Sequence, residues 1–245
     1  MKEFIIKILH GLFGYERYLR MFSAFKIKTL RLDKRKSAFL YFTSLHGAHA
    51  NIVVAGACTG ITTVPFVRKY PGRTVFAYEP VKSNFNVLND VIRKFGLSNV
   101  KTFHLGLGNR REEREFVLPL VNGVKKQGLA HIRDASIEGY EDGVTETVTV
   151  DRLDNRSELQ SIRIDGIKIV AENFELPIFE GARSIIEKNK PVIYCELWEN
   201  ENRNRVFALI ENYNYDVWVC EDKQLVPYHP ETYTGRYFFF KPVHG

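Results

Sequence analysis

The stretch Val53-Val54-Ala55-Gly56-Ala57-Cys58-Thr59-Gly60-Ile61-Thr62-Thr63 runs from an apolar strand pattern through a glycine turn into a helix start. A second apolar run, Phe76-Ala77-Tyr78, then ends in Glu79-Pro80, with the acid 23 positions after Gly56. No other segment restricts the fold as strongly. Glycine lets a backbone turn sharply and approach a ligand closely. A new helix after such a turn points unpaired N–H groups at whatever lies there. An acid about 20 residues beyond the turn has the spacing at which open α/β sheets place a ribose-binding carboxylate. The two segments together frame a site for an adenosine-containing ligand.

The rest of the chain alternates in the same sense. Strands are predicted at 51–55, 74–78, 100–105, 166–171, 191–197, 216–220 and 236–241. Helices are predicted at 59–70, 82–95, 176–188 and 202–212. Such alternation builds a doubly wound, mostly parallel α/β sheet of seven strands. The last two strands have no long helix between them and are expected to be antiparallel. Between residues 109 and 150 the rhythm breaks. An irregular insertion is expected there, with strands at 115–118 and 145–150 and a lid over 123–143 above an acceptor pocket.

Residues 1–48 read as a helical extension, and 49–245 as the main domain. The extension holds ten Lys or Arg against three Asp or Glu within residues 1–36. The whole chain carries +6, so the remainder is near neutral. The apolar run from Phe4 to Phe13 is interrupted by Lys7 and is too short to span a bilayer. Two readings stay open for this segment: a helix packed on the main domain or a second subunit, and a basic helix lying on an anionic membrane surface. Nucleic acid is not an expected partner, since no recognisable module interleaves aromatic and basic residues. Cys58, Cys195 and Cys220 are odd in number and scattered, which fits a reducing cytoplasm and neither a disulfide framework nor a zinc site.

Four blocks resemble the FkbM family of class I S-adenosylmethionine-dependent methyltransferases. They are Ala55-Gly56-Ala57-Cys58-Thr59-Gly60, residues 78–85 (YEPVKSNF), residues 168–176 (KIVAENFEL) with Glu180-Gly181-Ala182, and residues 191–197 (PVIYCEL). The likeness spans about residues 50–240. It implies a Rossmann-like fold, S-adenosylmethionine as cofactor, and O-methylation of a hydroxyl on a sugar, glycolipid or secondary metabolite. It also implies that residues 55–60 hold the amino-acid end of the cofactor. Glu79, beside Pro80, would take both ribose hydroxyls, and Leu107-Gly108 would flank the adenine. Two family aspartates are replaced, by Val54 and Val170, and the family's Glu-Gly pair becomes Glu172-Asn173. Restoring either aspartate is expected to raise affinity or turnover, and no metal site is expected.

Methyl transfer needs an aligned acceptor oxygen and a base for its proton. Glu172 follows the fourth strand at the ligand-facing end and is the first candidate; Glu196 and His131 are the next, and His104 fits better as a core or edge residue. Cys58, at an expected helix start, could have a lowered thiol pKa but has no evident histidine partner. Two other functions compete. A non-catalytic relative would bind a partner or act as a scaffold, with Val54 and Val170 as its support. An NAD-dependent oxidoreductase fits less well, because Gly56-x-x-x-Gly60 is not Gly-x-Gly-x-x-Gly. A cytoplasmic enzyme completes the expectation, with peripheral contact at the inner membrane face and homo-oligomer formation both left open.

Overall fold

The computed structural model describes residues 2–47, 49–133 and 142–243, with side chains from residue 6. The chain opens with α1 (Lys2–Phe13), α2 (Tyr15–Thr29), two 3-10 turns and α3 (Ser37–Phe42). The main sheet begins with β1 (Ile52–Ala55), followed by α4 (Thr63–Lys69), β2 (Val75–Tyr78), α5 (Lys82–Lys94) and β3 (Val100–Phe103). Next come β4 (Gly106–Leu107), β5 (Glu112–Val121), β6 (Val124–Lys125), β7 (His131–Ile132) and β8 (Gly143–Asp151). The sheet resumes with β9 (Gly166–Ile169), α6 (Glu175–Gly181), α7 (Arg183–Asn189), β10 (Val192–Glu196) and α8 (Glu201–Asn212). It closes with β11 (Tyr215–Glu221), β12 (Gln224–Pro227) and β13 (Tyr237–Pro242).

Strand order is β12-β11-β13-β10-β9-β1-β2-β3, parallel from β10 to β3 and antiparallel on the other side. The seven expected strands are present, and the eighth, β12, folds back on β11 after the turn at Asp222-Lys223, where both φ angles are positive. β1, β2 and β9 are buried along their whole length. Such strands read as continuous apolar runs, which is why they stand out in the sequence.

The insertion is regular where irregularity was expected. β5 and β8 form a long antiparallel ladder from Glu112↔Val150 to Pro119↔Gly143, with β4, β6 and β7 completing a second sheet. Charged Glu112–Glu115 masks the start of β5, because only Phe116–Pro119 in its middle are buried. Asn122-Gly123, both with positive φ, make the hairpin turn between β5 and β6. The expected lid falls partly on residues 134–141, outside the described residues. The predicted helix over 176–188 is two helices broken at Ala182 (φ −112°, ψ 9°). A Cβ on Gly181 would strike the Gly108 carbonyl, so the bare glycine lets this helix meet the β4–β5 connection.

The N-terminal helices pack against the sheet domain. Leu19, Ser23, Ala24 and Ile27 form the buried stripe of α2, Leu30 is buried in the turn after it, and Leu19 and Ile27 join Val64, Val87 and Val91. Ser23 donates to Thr59 Oγ1 at 2.7 Å, tying α2 to the glycine turn. Arg20 pairs with Asp90 of α5 at 3.1 Å. From α3, Phe42 is wholly enclosed, with its ring 5.4 Å from Tyr194, 5.7 Å from Phe66 and 6.2 Å from Phe239. Truncating such a ring removes transfer energy and leaves a cavity. Phe42→Ala is therefore expected to cost about 3–5 kcal/mol in urea unfolding. A loss under about 1 kcal/mol would mean that α3 is not part of the core.

Candidate active site

The carboxyl ends of β1, β2, β9 and β10 open into a cavity of about 430 Å³. Open α/β sheets bind ligands along this edge. Ala55–Cys58 and Tyr78–Pro80 form its floor, with Leu105–Leu107 at one side. Lys168, Val170–Glu172, Tyr194 and Glu196 form the opposite wall. Phe22, Lys26 and Leu30, together with Lys36 and Phe39, roof it from the N-terminal helices, and Gln127, Gly128, Ala130 and Ile132 reach in from the second sheet.

Glu79 organises the floor. Its side chain is 97% enclosed (3% relative exposure). Oε2 accepts from the Cys58 N–H at 2.7 Å, and Oε1 accepts from the Val81 N–H at 3.1 Å and from Asn84 Nδ2 at 3.2 Å. The carboxylate thus holds the glycine turn against the start of α5. Val81, at the N-cap, offers no side-chain cap; Glu79 accepts from its N–H, and Glu146 Oε1 accepts from the following Lys82 N–H at 2.7 Å. Gly56 (φ +74°) lies so close to β9 that a Cβ would strike the Val170 carbonyl. Lys168, also buried, donates from Nζ to the Gly56 carbonyl at 2.7 Å.

On the far wall, Glu172 and Asn173 adopt consecutive left-handed conformations (φ +49° and +74°). Asparagine tolerates that region, which fits its place where the resemblance expects glycine. Asn173 Oδ1 also accepts from Asn200 Nδ2 at 2.7 Å, tying this corner to the start of α8. For Glu172 the conformation is strained, a cost of about 1–3 kcal/mol that persists only where the surroundings impose it.

Residues 54–217 match the methyltransferase FkbM domain. The chain belongs to the FkbM methyltransferase family. The fold is similar to that of a methyltransferase FkbM from Methylobacillus flagellatus KT, at 14% identity and TM-score 0.56, over 84% of this chain and 47% of that one. The chain therefore spans about half the length of that relative. Fainter likenesses link it to a precorrin-6y C5,15-methyltransferase from Geobacter metallireducens GS-15 (13% identity, TM-score 0.49, 85% of this chain and 87% of that one). Another is to an S-adenosylmethionine-dependent O-methyltransferase from Thermotoga maritima (12%, TM-score 0.48, 89% and 71%). At these identities the likeness is one of fold. No curated protein matches the chain.

Of the cofactor residues expected from the FkbM pattern, Ala55, Gly56, Ala57, Cys58, Glu79, Pro80 and Leu107 line the cavity, and Thr59, Gly60 and Gly108 do not. Thr59 is turned to Ser23, and Gly60 sits against Leu88 of α5, where a Cβ would approach Leu88 Cδ1 to 2.9 Å. Gly108 packs between Val150 and Phe174, and Leu105 and Gly106 join Leu107 in its stead. Glu172 and Glu196 line the wall; His131 does not. Alternation along the short β7 turns Ala130 and Ile132 to the cavity and His131 to the other side. His131 is enclosed there, with Nδ1 2.8 Å from the Leu129 carbonyl. His104 lies just past β3, exposed and stacked on Phe85 at 5.2 Å.

Cys58 sits in the turn and not at a helix start, because α4 begins only at Thr63. Burial and the nearby Glu79 push its thiol up to about 12, opposite to the lowering that a helix start would bring. Val54 is fully enclosed within the cluster that includes Phe39, Phe42, Phe66 and Tyr194, and it does not line the cavity. Its cross-strand partner is Lys168. An acid at 54 would thus neighbour the lysine, so a gain in ligand affinity is expected only from an acid at Val170, which does line the cavity.

Burial raises Glu79 and Glu175 to about 7. Burial, then the charges of Glu196 and Glu175, raises Glu172 to about 8. Burial also lowers Lys168 to about 8. Between the ordinary carboxylate range and pH 8 the folded protein holds more protons than the unfolded chain, so its stability falls as pH rises through that window. Lys168 counts only above it, where the folded protein sheds a proton first and stability recovers toward the ordinary lysine range. Urea midpoints should therefore drop between about pH 5 and about pH 8, and less so in Glu172→Gln. A flat or rising wild-type profile would contradict these protonation states.

Proposed function

We propose that the chain is an S-adenosylmethionine-dependent methyltransferase acting on a hydroxyl of a sugar, glycolipid or secondary metabolite. The carrying observation is Glu79, enclosed at the floor of a cavity that the family's glycine turn also lines. A carboxylate has about four acceptor positions, and three are taken by Cys58, Val81 and Asn84. One, on Oε2, remains for a ribose hydroxyl. A second hydroxyl is accommodated only by exchange with Asn84. The cofactor supplies a methyl group on a positively charged sulfur, and that charge would favour the ionised form of the Glu79 and Glu172 carboxyls that burial otherwise holds protonated.

The wall suits the acceptor. Tyr194 and Tyr237 stack with ring centres 5.9 Å apart, and both border the cavity beside Glu172 and Glu196. Tyr194 is buried with Phe42 and Tyr237 both stacked on it, so Tyr237 and the nearby carboxylates are what would meet the apolar and hydroxyl faces of a sugar. Glu172, raised to about 8 by burial, can accept the hydroxyl proton only in its ionised form, whose share grows as pH rises toward 8. A non-catalytic binding module retains one specific support, the apolar Val54 and Val170 in place of the family acids.

Calorimetric titration tests the reading. S-adenosylmethionine and S-adenosylhomocysteine are expected to bind at micromolar levels, and NAD not at all. Glu79→Gln should weaken S-adenosylhomocysteine about tenfold or more and cost about 1–3 kcal/mol in stability, since it leaves a buried N–H unpaired. Binding without turnover on any hydroxylated acceptor favours the non-catalytic module. Absence of all binding removes the cofactor assignment.

A further inference from the structure

The outer face of α2 carries a row that the packing does not explain. Arg17, Met21, Phe25 and Lys28 are exposed one helical turn apart, and Leu32 continues the row into the following 3-10 turn. Met21, Phe25 and Leu32 leave 51, 63 and 81% of their surface in solvent. Ile8 and Leu12, one turn apart on α1, and Phe13 are also exposed. Six of the nine large apolar side chains exposed among the described residues thus fall in the first 32 positions. The opposite stripe of α2 is buried on the domain, so the outer row is not a core face left unfilled.

The charge around this row is net positive. Lys28, Arg31 and Lys34 are exposed with no acidic partner among the described residues, while Asp33 is already held by Lys26 and Arg35. Apolar residues set among cations at helical spacing match the interfacial zone of an anionic bilayer, where rings enter the acyl boundary and ammonium groups meet phosphates. A second copy fits worse, because a two-fold contact would set cations against cations. We propose that α1, α2 and the turn after it dock the protein on an anionic lipid surface.

The docking face adjoins the cavity. Of the residues that roof it, Phe22 and Lys26 lie on the flank of the same helix and Leu30 begins the 3-10 turn after it. A docked chain would hold the cavity roof at headgroup level and favour a lipid-linked acceptor. That consequence rests on the methyl-transfer reading; the docking does not, so it is measured without cofactor.

The full chain is mixed with vesicles of phosphatidylcholine alone and with roughly one third phosphatidylglycerol, then sedimented. Partition onto the anionic vesicles is expected to be about tenfold stronger and to fall with added salt. The double variant Phe25→Ser, Leu32→Ser should lose about tenfold of it with unchanged S-adenosylhomocysteine affinity. Arg31→Glu with Lys34→Glu, a second variant that leaves the apolar row intact, should lose as much. Equal partition onto both vesicle types, no partition, or variants that bind like the wild type would overturn the proposal. A wild-type dimer that Phe25→Ser, Leu32→Ser dissolves, without vesicle binding, would reassign the face to contact between copies.

Discussion

The Glu79 carboxylate is the tie on which the site depends. It bridges two backbone segments, the Cys58 amide in the turn after β1 and the Val81 amide at the start of α5, and so reinforces the bonds that the Gly56 and Ala57 amides make to the Tyr78 carbonyl. Burying a carboxylate is expensive unless its lone pairs are filled, and here three donors fill them. The same arrangement leaves one acceptor position of Oε2 without a donor among these three. A single side chain therefore shapes the floor and, in the proposed reading, would also meet a nucleoside sugar.

The second constraint is the N-terminal segment, which lies outside the matched family region yet completes the cavity. α3 places Phe39 and Phe42 in the cluster that encloses Val54, and α2 lays Phe22, Lys26 and Leu30 over the opening. The exchange of a family aspartate for Val54 is intelligible in this setting. The position looks into an aromatic cluster, where valine packs and a carboxylate would have only Lys168 to meet.

Much of this was legible in the sequence for identifiable reasons. The buried parallel strands announce themselves as apolar runs, and the glycine turn with Glu79 is a local pattern at a fixed spacing. What stayed hidden is non-local. The sequence marks residues 1–48 as a helical extension but does not say that Phe22 and Lys26 cover a cavity. The motif points to Thr59, Gly60 and Gly108, yet these serve the packing of the turn and of the β4–β5 connection. His131 misses the cavity by one step of strand alternation. Lys168 belongs to a quoted block, but only the fold brings its ammonium to the Gly56 carbonyl.

The central claim is that a nucleoside sugar occupies the last acceptor position of Glu79. A structure of the protein with S-adenosylhomocysteine tests it most directly. A ribose hydroxyl within about 2.5–3.0 Å of Glu79 Oε2, with the Cys58 amide still bound, is the predicted result. A nucleoside lodged elsewhere, or a sugar with no contact to Glu79, would contradict it.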